Sequence, residues 1–173
     1  RQEQLKDGRF DLIRGTAAFT GSNSLQVTPI DGSEPFEVEF RAATVATGSV
    51  ITRLPIEGLE EAGYWTSDDI LEAEEIPDSM IVLGGGAIAL EMACYLEGLG
   101  KEVAVIQRSS QLIRGSDLDI AKALESAISE RDNMTVFTGT ALKRVETDSS
   151  SGLKTVYFDH NGEEKSASAH QIL

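Results

Sequence analysis

Cysteine is nearly missing from this sequence. The 173 residues hold one, Cys94. That excludes an internal disulfide, a cluster of metal-binding thiolates and any dithiol chemistry within the chain. Basic residues are also scarce, 15 against 29 acidic, for a net charge of −14. Such a balance argues against a nucleic-acid phosphate backbone as partner. No window approaches the roughly 18 apolar residues that a membrane span requires. Nothing near Arg1 has the basic-then-apolar layout of a signal peptide, and a cytoplasmic location is expected. What remains, 40% hydrophobic and 25% charged, fits an ordinary globular chain.

The acidity is uneven. Residues 51–80 carry nine acidic residues and one basic residue, together with Pro55, Gly58, Gly63 and Pro77. This mixture reads as an exposed acidic connector over 51–79. A short helix is expected near Ser67–Glu75, with Ser67 as its N-cap and acids in its first turn.

Before the connector the chain has strand character in short pieces: Phe10–Arg14, Ala17–Thr20, Ser24–Thr28, Phe36–Arg41 and Ala43–Ala46. Gly21-Ser22-Asn23 and Asp31-Gly32-Ser33 punctuate them as turns. After it the pattern changes. Met80-Ile81-Val82-Leu83 is wholly apolar, as a buried parallel strand requires. Gly84-Gly85-Gly86 follows, then a helical stretch over Ala87–Leu99. Its apolar stripe is Ile88, Met92, Tyr95, Leu96 and Leu99, with Cys94 as a small buried residue, and Gly100 sits at its left-handed end.

A strand over Val103–Ile106 comes next, then a helix over Asp117–Glu130 capped by Ser116 or Asp117, and a strand over Met134–Phe137. The chain closes on meander strands at Ala141–Glu146, Lys154–Phe158 and near Lys165–Ser168. Gly15-Thr16-Ala17 and Gly139-Thr140-Ala141 each open a run of strand, turn, strand, turn, strand. The second run stops near where the first reaches Val45-Ala46-Thr47-Gly48, which predicts that the chain is a piece of something longer. The fold class expected is α/β, a Rossmann-like dinucleotide-binding domain over 80–173 with a three-stranded β-meander, preceded by a β-rich portion over 1–50.

The chemistry is concentrated in the glycine loop. Gly84-x-Gly86-x-x-Ala89 stands between a buried strand and a helix, with a second strand about twenty residues on. The first glycine permits the tight turn, and the second lets the backbone approach a pyrophosphate. The small third residue lets helix and strand pack closely. The helix N-terminus then offers unpaired amides and a partial positive charge to the anion.

The end of the second strand selects between the two nicotinamide dinucleotides. An NAD site places an Asp or Glu there for the ribose hydroxyls. Here Gln107 is neutral, Arg108 follows, and Arg114 lies in the same loop beyond Ser109 and Ser110. Two guanidinium groups without an acid suit a 2′-phosphate. Both are equally readable as ordinary charges of a polar loop.

Ile13-Arg14-Gly15-Thr16-Ala17-Ala18-Phe19, Ala46-Thr47-Gly48, Tyr64-Trp65-Thr66-Ser67 and Gly84–Glu91 occur in an order that resembles the FAD-dependent pyridine nucleotide–disulfide oxidoreductases. That family includes glutathione reductase, dihydrolipoamide dehydrogenase and mercuric reductase. The Tyr64–Ser67 segment, Ser24–Val27 and Gln107–Ser110 look most like the mercuric reductase branch.

The resemblance implies that residues 1–50 are the latter part of an FAD domain, with Ala17 near the adenine and Thr47 and Gly48 beside the flavin nucleotide. It implies an NAD(P) domain whose contacts come from Gly84, Gly85, Gly86, Ala87 and Ile88. Gln107, Arg108 and Arg114 fall where the NADPH-using members hold the 2′-phosphate. Glu91 matches a glutamate that pairs with a lysine beside the flavin, although it also reads as a helix-surface acid. Ala87 stands where the family commonly has tyrosine, which leaves the gating of a nicotinamide pocket open.

The family's first dinucleotide motif, its redox cysteine pair, and its C-terminal dimerisation domain with a catalytic histidine are not in this sequence. His160 and His170 have no carboxylate or nucleophile placed to make them catalytic. No catalytic residue and no metal ligand are therefore assigned. The expected parent enzyme is a homodimeric flavoprotein of cell redox homeostasis that passes hydride from NADPH to FAD and on to an acceptor. An NAD-dependent dihydrolipoamide dehydrogenase and a non-catalytic dinucleotide-binding module are the alternatives. A short-chain dehydrogenase is unsupported, because Tyr64, Tyr95 and Tyr157 are followed four residues later by Asp68, Leu99 and Asn161.

Overall fold

The computed structural model describes residues 10–173. The chain divides into two compact units, one ending at Val50 and one spanning Ile51–Leu173. The first holds a three-stranded antiparallel sheet of β1 (Gly15–Phe19), β2 (Ser24–Pro29) and β3 (Phe36–Glu39), in sequential order. The register runs from Gly15 opposite Pro29 to Phe19 opposite Leu25, then from Val27 opposite Phe36 to Ser24 opposite Glu39. Phe10–Arg14 and Ala43–Ala46, expected as strands, are irregular. Their residues suit a strand, but among the described residues neither run forms a ladder, and propensity alone does not make one.

The second unit is built on a parallel sheet with strand order β10-β4-β5-β6. These strands are β4 (Ser79–Leu83), β5 (Glu102–Ile106), β6 (Met134–Phe137) and β10 (Gln171–Ile172). Two helices make the crossovers, α3 (Ala87–Gly98) between β4 and β5 and α4 (Leu118–Ser129) between β5 and β6. An antiparallel meander of β7 (Ala141–Thr147), β8 (Lys154–His160) and β9 (Glu163–Ala169) leads from β6 back to β10.

The reason β4 and β5 are apolar beyond their first residues, Ser79 and Glu102, is visible in the packing. Met80 and Val82, with Val103 and Val105, face a core completed by Leu90, Ala93 and Leu96 of α3 and Ile128 of α4. Ile81 and Ile106 face the opposite way, into a second core with Val145, Val156 and Phe158 of the meander. A strand buried on both faces cannot alternate apolar with polar.

Sequence expectations about two segments need correction here. The acidic stretch 51–79 is not merely an exposed connector. It carries α1 (Leu59–Ala62) and α2 (Ser67–Glu72), whose Leu59 and Ile70 are each 2% exposed and belong to the two cores. Backbone hydrogen bonds anchor it, from Val145 N–H to the Glu57 carbonyl at 2.8 Å and from Trp65 N–H to the Ile172 carbonyl at 2.7 Å. The cap of α2 is Thr66 and not Ser67. Thr66 Oγ1 accepts from the Asp69 amide while the Asp69 carboxylate accepts from the Thr66 amide, a complete capping box. Those bonds from Thr66 hold the Asp69 carboxyl below its usual range.

The second correction concerns α3. Ile88, Tyr95 and Leu99 of the expected core stripe are exposed, and the residues buried are Leu90, Ala93 and Leu96. Cys94 is only half-buried. The helix is apolar on more than one side, so periodicity did not single out the face the sheet takes. Its C-terminus follows the expected pattern. Gly100 has φ +77°, and the amides of Gly100 and Lys101 close back on the carbonyls of Glu97 and Leu96, a Schellman ending.

Candidate functional site

Parallel strands β4 and β5 end together, and the glycine loop turns out of the sheet at that edge. Gly84 has φ +132°, a conformation that a side chain opposes, and its amide donates to the Ile106 carbonyl at 3.0 Å. A Cβ on Gly84 would sit 3.7 Å from the Ala89 Cβ, so the small residue at 89 lets loop and helix close together. Gly86 is the N-cap of α3, has no side-chain cap and leaves open space where a Cβ would point. Leu90 N–H makes the first bond into the helix, to the Gly86 carbonyl. The amides of Ala87, Ile88 and Ala89 precede it and are the donors that an α-helix leaves unpaired. No acid lies in this first turn, whereas α1, α2 and α4 each carry at least one. The first turn of α3 is suited to an anion.

Beside this loop the structure brings together Gln107, Arg108, Ser109, Ser110 and Arg114, which line one hollow of about 410 Å³. Arg108 and Arg114 are exposed, and neither forms an ion pair among the described residues. No acidic side chain lines the hollow. The Gln107 backbone is fixed on both sides, its amide donating to the Phe137 carbonyl and its carbonyl accepting from Thr140. Its carboxamide nitrogen donates to the Gln111 carbonyl at 3.2 Å, which folds the side chain back over the loop.

Gly85 joins the two loops. A Cβ there would fall 2.7 Å from Leu112 Cδ2 and 3.0 Å from Gln107 Cγ. Its carbonyl accepts from the Ile113 amide at 2.7 Å. Leu112, Ile113 and Thr140 were not expected as residues of the site. An apolar pair inside a polar loop and a buried threonine give no signal until the strands are brought together.

The other named residues lie elsewhere. Ala87 is exposed at the first position of α3, and Glu91 is exposed on its second turn. Ile88 lines a separate, largely apolar hollow of about 270 Å³ with Ala89, Met92, Trp65 and Leu83. Ala17, Thr47 and Gly48 belong to the first unit. Ala17 pairs with Val27 in the sheet, while Thr47 and Gly48 lie in the irregular segment after β3. His170 Nδ1 is hydrogen-bonded to Ser79 Oγ at 2.8 Å, and His160 stacks edge-on against Phe137. Among the described residues no three His, Cys, Asp or Glu side chains are grouped to hold a metal. Among the same residues no helix is long and apolar enough to cross a membrane.

A parallel sheet with helical crossovers and a glycine loop at its carboxyl edge places the second unit in the Rossmann-like α/β class. The chain belongs to the pyridine nucleotide-disulphide oxidoreductase family, whose model matches residues 2–172. It is 32% identical to mercuric reductase of Bacillus cereus over 98% of its own length and 25% of the relative's. It is 34% identical to dihydrolipoyl dehydrogenase of Vibrio cholerae over 73% of its length and 26% of that protein. In fold it resembles the HOCl-induced flavoprotein disulfide reductase RclA from Escherichia coli, solved as a Cu(II) complex. The TM-score is 0.71 at 22% identity, covering 98% of this chain and 36% of that one. The chain thus spans between a quarter and just over a third of these proteins.

Proposed function

We propose that this chain is the pyridine-nucleotide platform of a flavoprotein oxidoreductase that takes hydride from NADPH onto FAD and passes two electrons on to a disulfide or metal-ion acceptor, as in a mercuric reductase. The observation that carries the choice of NADPH is the hollow shared by Gln107, Arg108, Ser109, Ser110 and Arg114 without an acid. A carboxylate at the end of β5 would hold the ribose hydroxyls of NAD and repel a 2′-phosphate. Here two guanidinium groups and two hydroxyls stand ready to donate to phosphate oxygens.

The dinucleotide, when bound, supplies the hydride; the chain supplies position and charge. In this reading Gly84 turns the chain, Gly86 admits the pyrophosphate, and the amides of Ala87 and Ile88 donate to it. Residues 1–50 contribute Ala17, Thr47 and Gly48 to an FAD site, and Glu91, exposed on α3, is the residue that matches the family's flavin-side glutamate. An NAD-dependent dihydrolipoamide dehydrogenase is the second reading, favoured by the 34% identity to that enzyme and opposed by Arg108 and Arg114.

Titration of the chain with NADPH and NADH separates the two. NADPH is expected to bind more tightly, and Arg108→Ala or Arg114→Ala to weaken NADPH by roughly 10- to 100-fold while leaving NADH little changed. That range is one charge-assisted hydrogen bond. Equal affinities in the unaltered chain would overturn the NADPH assignment.

A further inference from the structure

Ile113 is one of two non-glycine residues with positive φ among the described residues, at +42°. The other, Asn161 in the turn between β8 and β9, is of a type that accepts this region readily. A β-branched residue does not, and it persists there only when its surroundings fix it from several directions. For Ile113 they do. Its amide donates to the Gly85 carbonyl at 2.7 Å, and its carbonyl accepts from the Ser116 amide at 3.0 Å. Leu112 before it is fully buried, and the Ile113 side chain packs against the same core. Gln111 closes the loop from the other end, its carboxamide donating to the Ser116 carbonyl at 2.9 Å. The residue immediately after the strained position is Arg114, which lines the hollow with Arg108.

We infer that Ile113 is a positioning residue for 2′-phosphate selectivity: its left-handed backbone, clipped to the glycine loop through Gly85, aims Arg114 into the hollow that Arg108 already lines. The inference rests on the NADPH reading above and adds a device to it. Arg114 stands on an exposed loop, and a long side chain on a free loop loses much conformational entropy when it grips a ligand. The fixed backbone at Ile113 meets part of that cost before the ligand arrives. The same clip ties the position of Arg114 to that of the glycine loop, so one dinucleotide meets both in a set relationship.

The test compares adenosine 2′,5′-bisphosphate with adenosine 5′-monophosphate, which differ only in the 2′-phosphate. Dissociation constants for both are measured by calorimetry with the full chain, alongside the thermal midpoint of each variant. In Ile113→Ala the apolar packing that holds the residue is lost while its Cβ still opposes the left-handed region, so the backbone is free to leave it. The preference for the bisphosphate is expected to fall at least about fivefold, on the scale of one hydrogen bond to a charged group. Ile113→Asn loses the same apolar packing but favours the left-handed region, and is expected to keep the preference within about twofold. If the alanine variant does not fold, Ile113→Thr takes its place, with the same loss expected.

An undiminished preference in Ile113→Ala overturns the inference. Equal losses in the alanine and asparagine variants overturn it too, since side-chain packing and not backbone conformation would then be responsible. A wild-type chain that binds both nucleotides equally fails at the earlier step. That outcome removes the NADPH reading itself and is seen before any variant is made.

Discussion

Thr140 closes over the carbonyl of Gln107. Its Oγ1 and its amide both donate to that one oxygen, at 3.1 and 3.2 Å. Thr140 is 3% exposed, at the junction between β6 and β7, and Gln107 is the first residue beyond β5. The pair therefore fixes the point from which Arg108 departs. Thr140→Val keeps the shape and the amide donor but removes the hydroxyl. The Gln107 carbonyl stays partnered, so the expected cost is that of one hydrogen bond, about 1 kcal/mol in chemical denaturation. A loss near 3 kcal/mol would show that the hydroxyl supports more than this carbonyl.

The cap of α2 separates what local sequence shows from what it leaves ambiguous. Thr66-Ser67-Asp68-Asp69 offers two hydroxyls in succession, and either satisfies a cap pattern with an acid three residues on or nearby. The structure chooses Thr66, because the Asp69 carboxylate reaches its amide and hydroxyl at 2.7 and 2.6 Å. Thr66→Ala is expected to cost about 1 kcal/mol and Ser67→Ala only a few tenths. Urea unfolding of both variants decides it, and the reverse order would return the cap to Ser67.

The same contrast runs through the molecule. The glycine loop and the strands around it were legible because their signals are local: an apolar run of four residues, three glycines, and a helix that follows at once. The meander was legible in part: Asn161 and Gly162 mark the turn between β8 and β9, whereas Asp159 and His160, which also suit a turn, belong to β8. The buried face of α3 was not, since Ile88 and Leu90, two positions apart, are equally apolar, and only contact with β4 and β5 decides between them. Two-residue β10 was invisible for want of length; its pairing with Met80 and Ile81 comes from the rest of the sheet. Leu59 and Ile70 were hidden among acids, although each fills a core. At the candidate site the charged residues were readable as residue types, but the clip between Gly85 and Ile113 is a backbone contact that no residue pattern announces.

The turn between β7 and β8 carries a pH dependence of known sign. The Asp148 carboxylate accepts from the hydroxyls of Ser150 and Ser151 and from both of their amides, between 2.6 and 3.0 Å. These bonds hold its carboxyl well below the usual carboxylate range. A carboxyl depressed in the folded state stabilises the fold above its unfolded pKa, and that contribution is lost as pH falls through the folded value. Asp148→Ala is therefore expected to lower the thermal midpoint at neutral pH. The gap between variant and wild type should hold steady down to about pH 5 and close progressively in more acid solution. A gap that widens on acidification would reverse the assignment of the carboxylate as the favoured form.

Two adjacent glycines should respond differently to the same added methyl. In Gly85→Ala the new Cβ meets Leu112 Cδ2 at 2.7 Å and Gln107 Cγ at 3.0 Å. Leu112 is fully buried and cannot retreat freely. Overpacking of this kind costs typically 1–3 kcal/mol, so this variant should unfold earlier in denaturant. In Gly86→Ala the Cβ points into open space, and the backbone, at φ −81°, is one that alanine adopts. That variant should keep its stability within about 0.5 kcal/mol. Its methyl group nevertheless occupies the surface that a pyrophosphate would approach, in front of the unpaired amides of α3. Affinity for NADPH and NADH alike is expected to fall at least tenfold, about 1.4 kcal/mol. If Gly86→Ala binds both nucleotides as the unaltered chain does, the dinucleotide does not cross the glycine loop at this point.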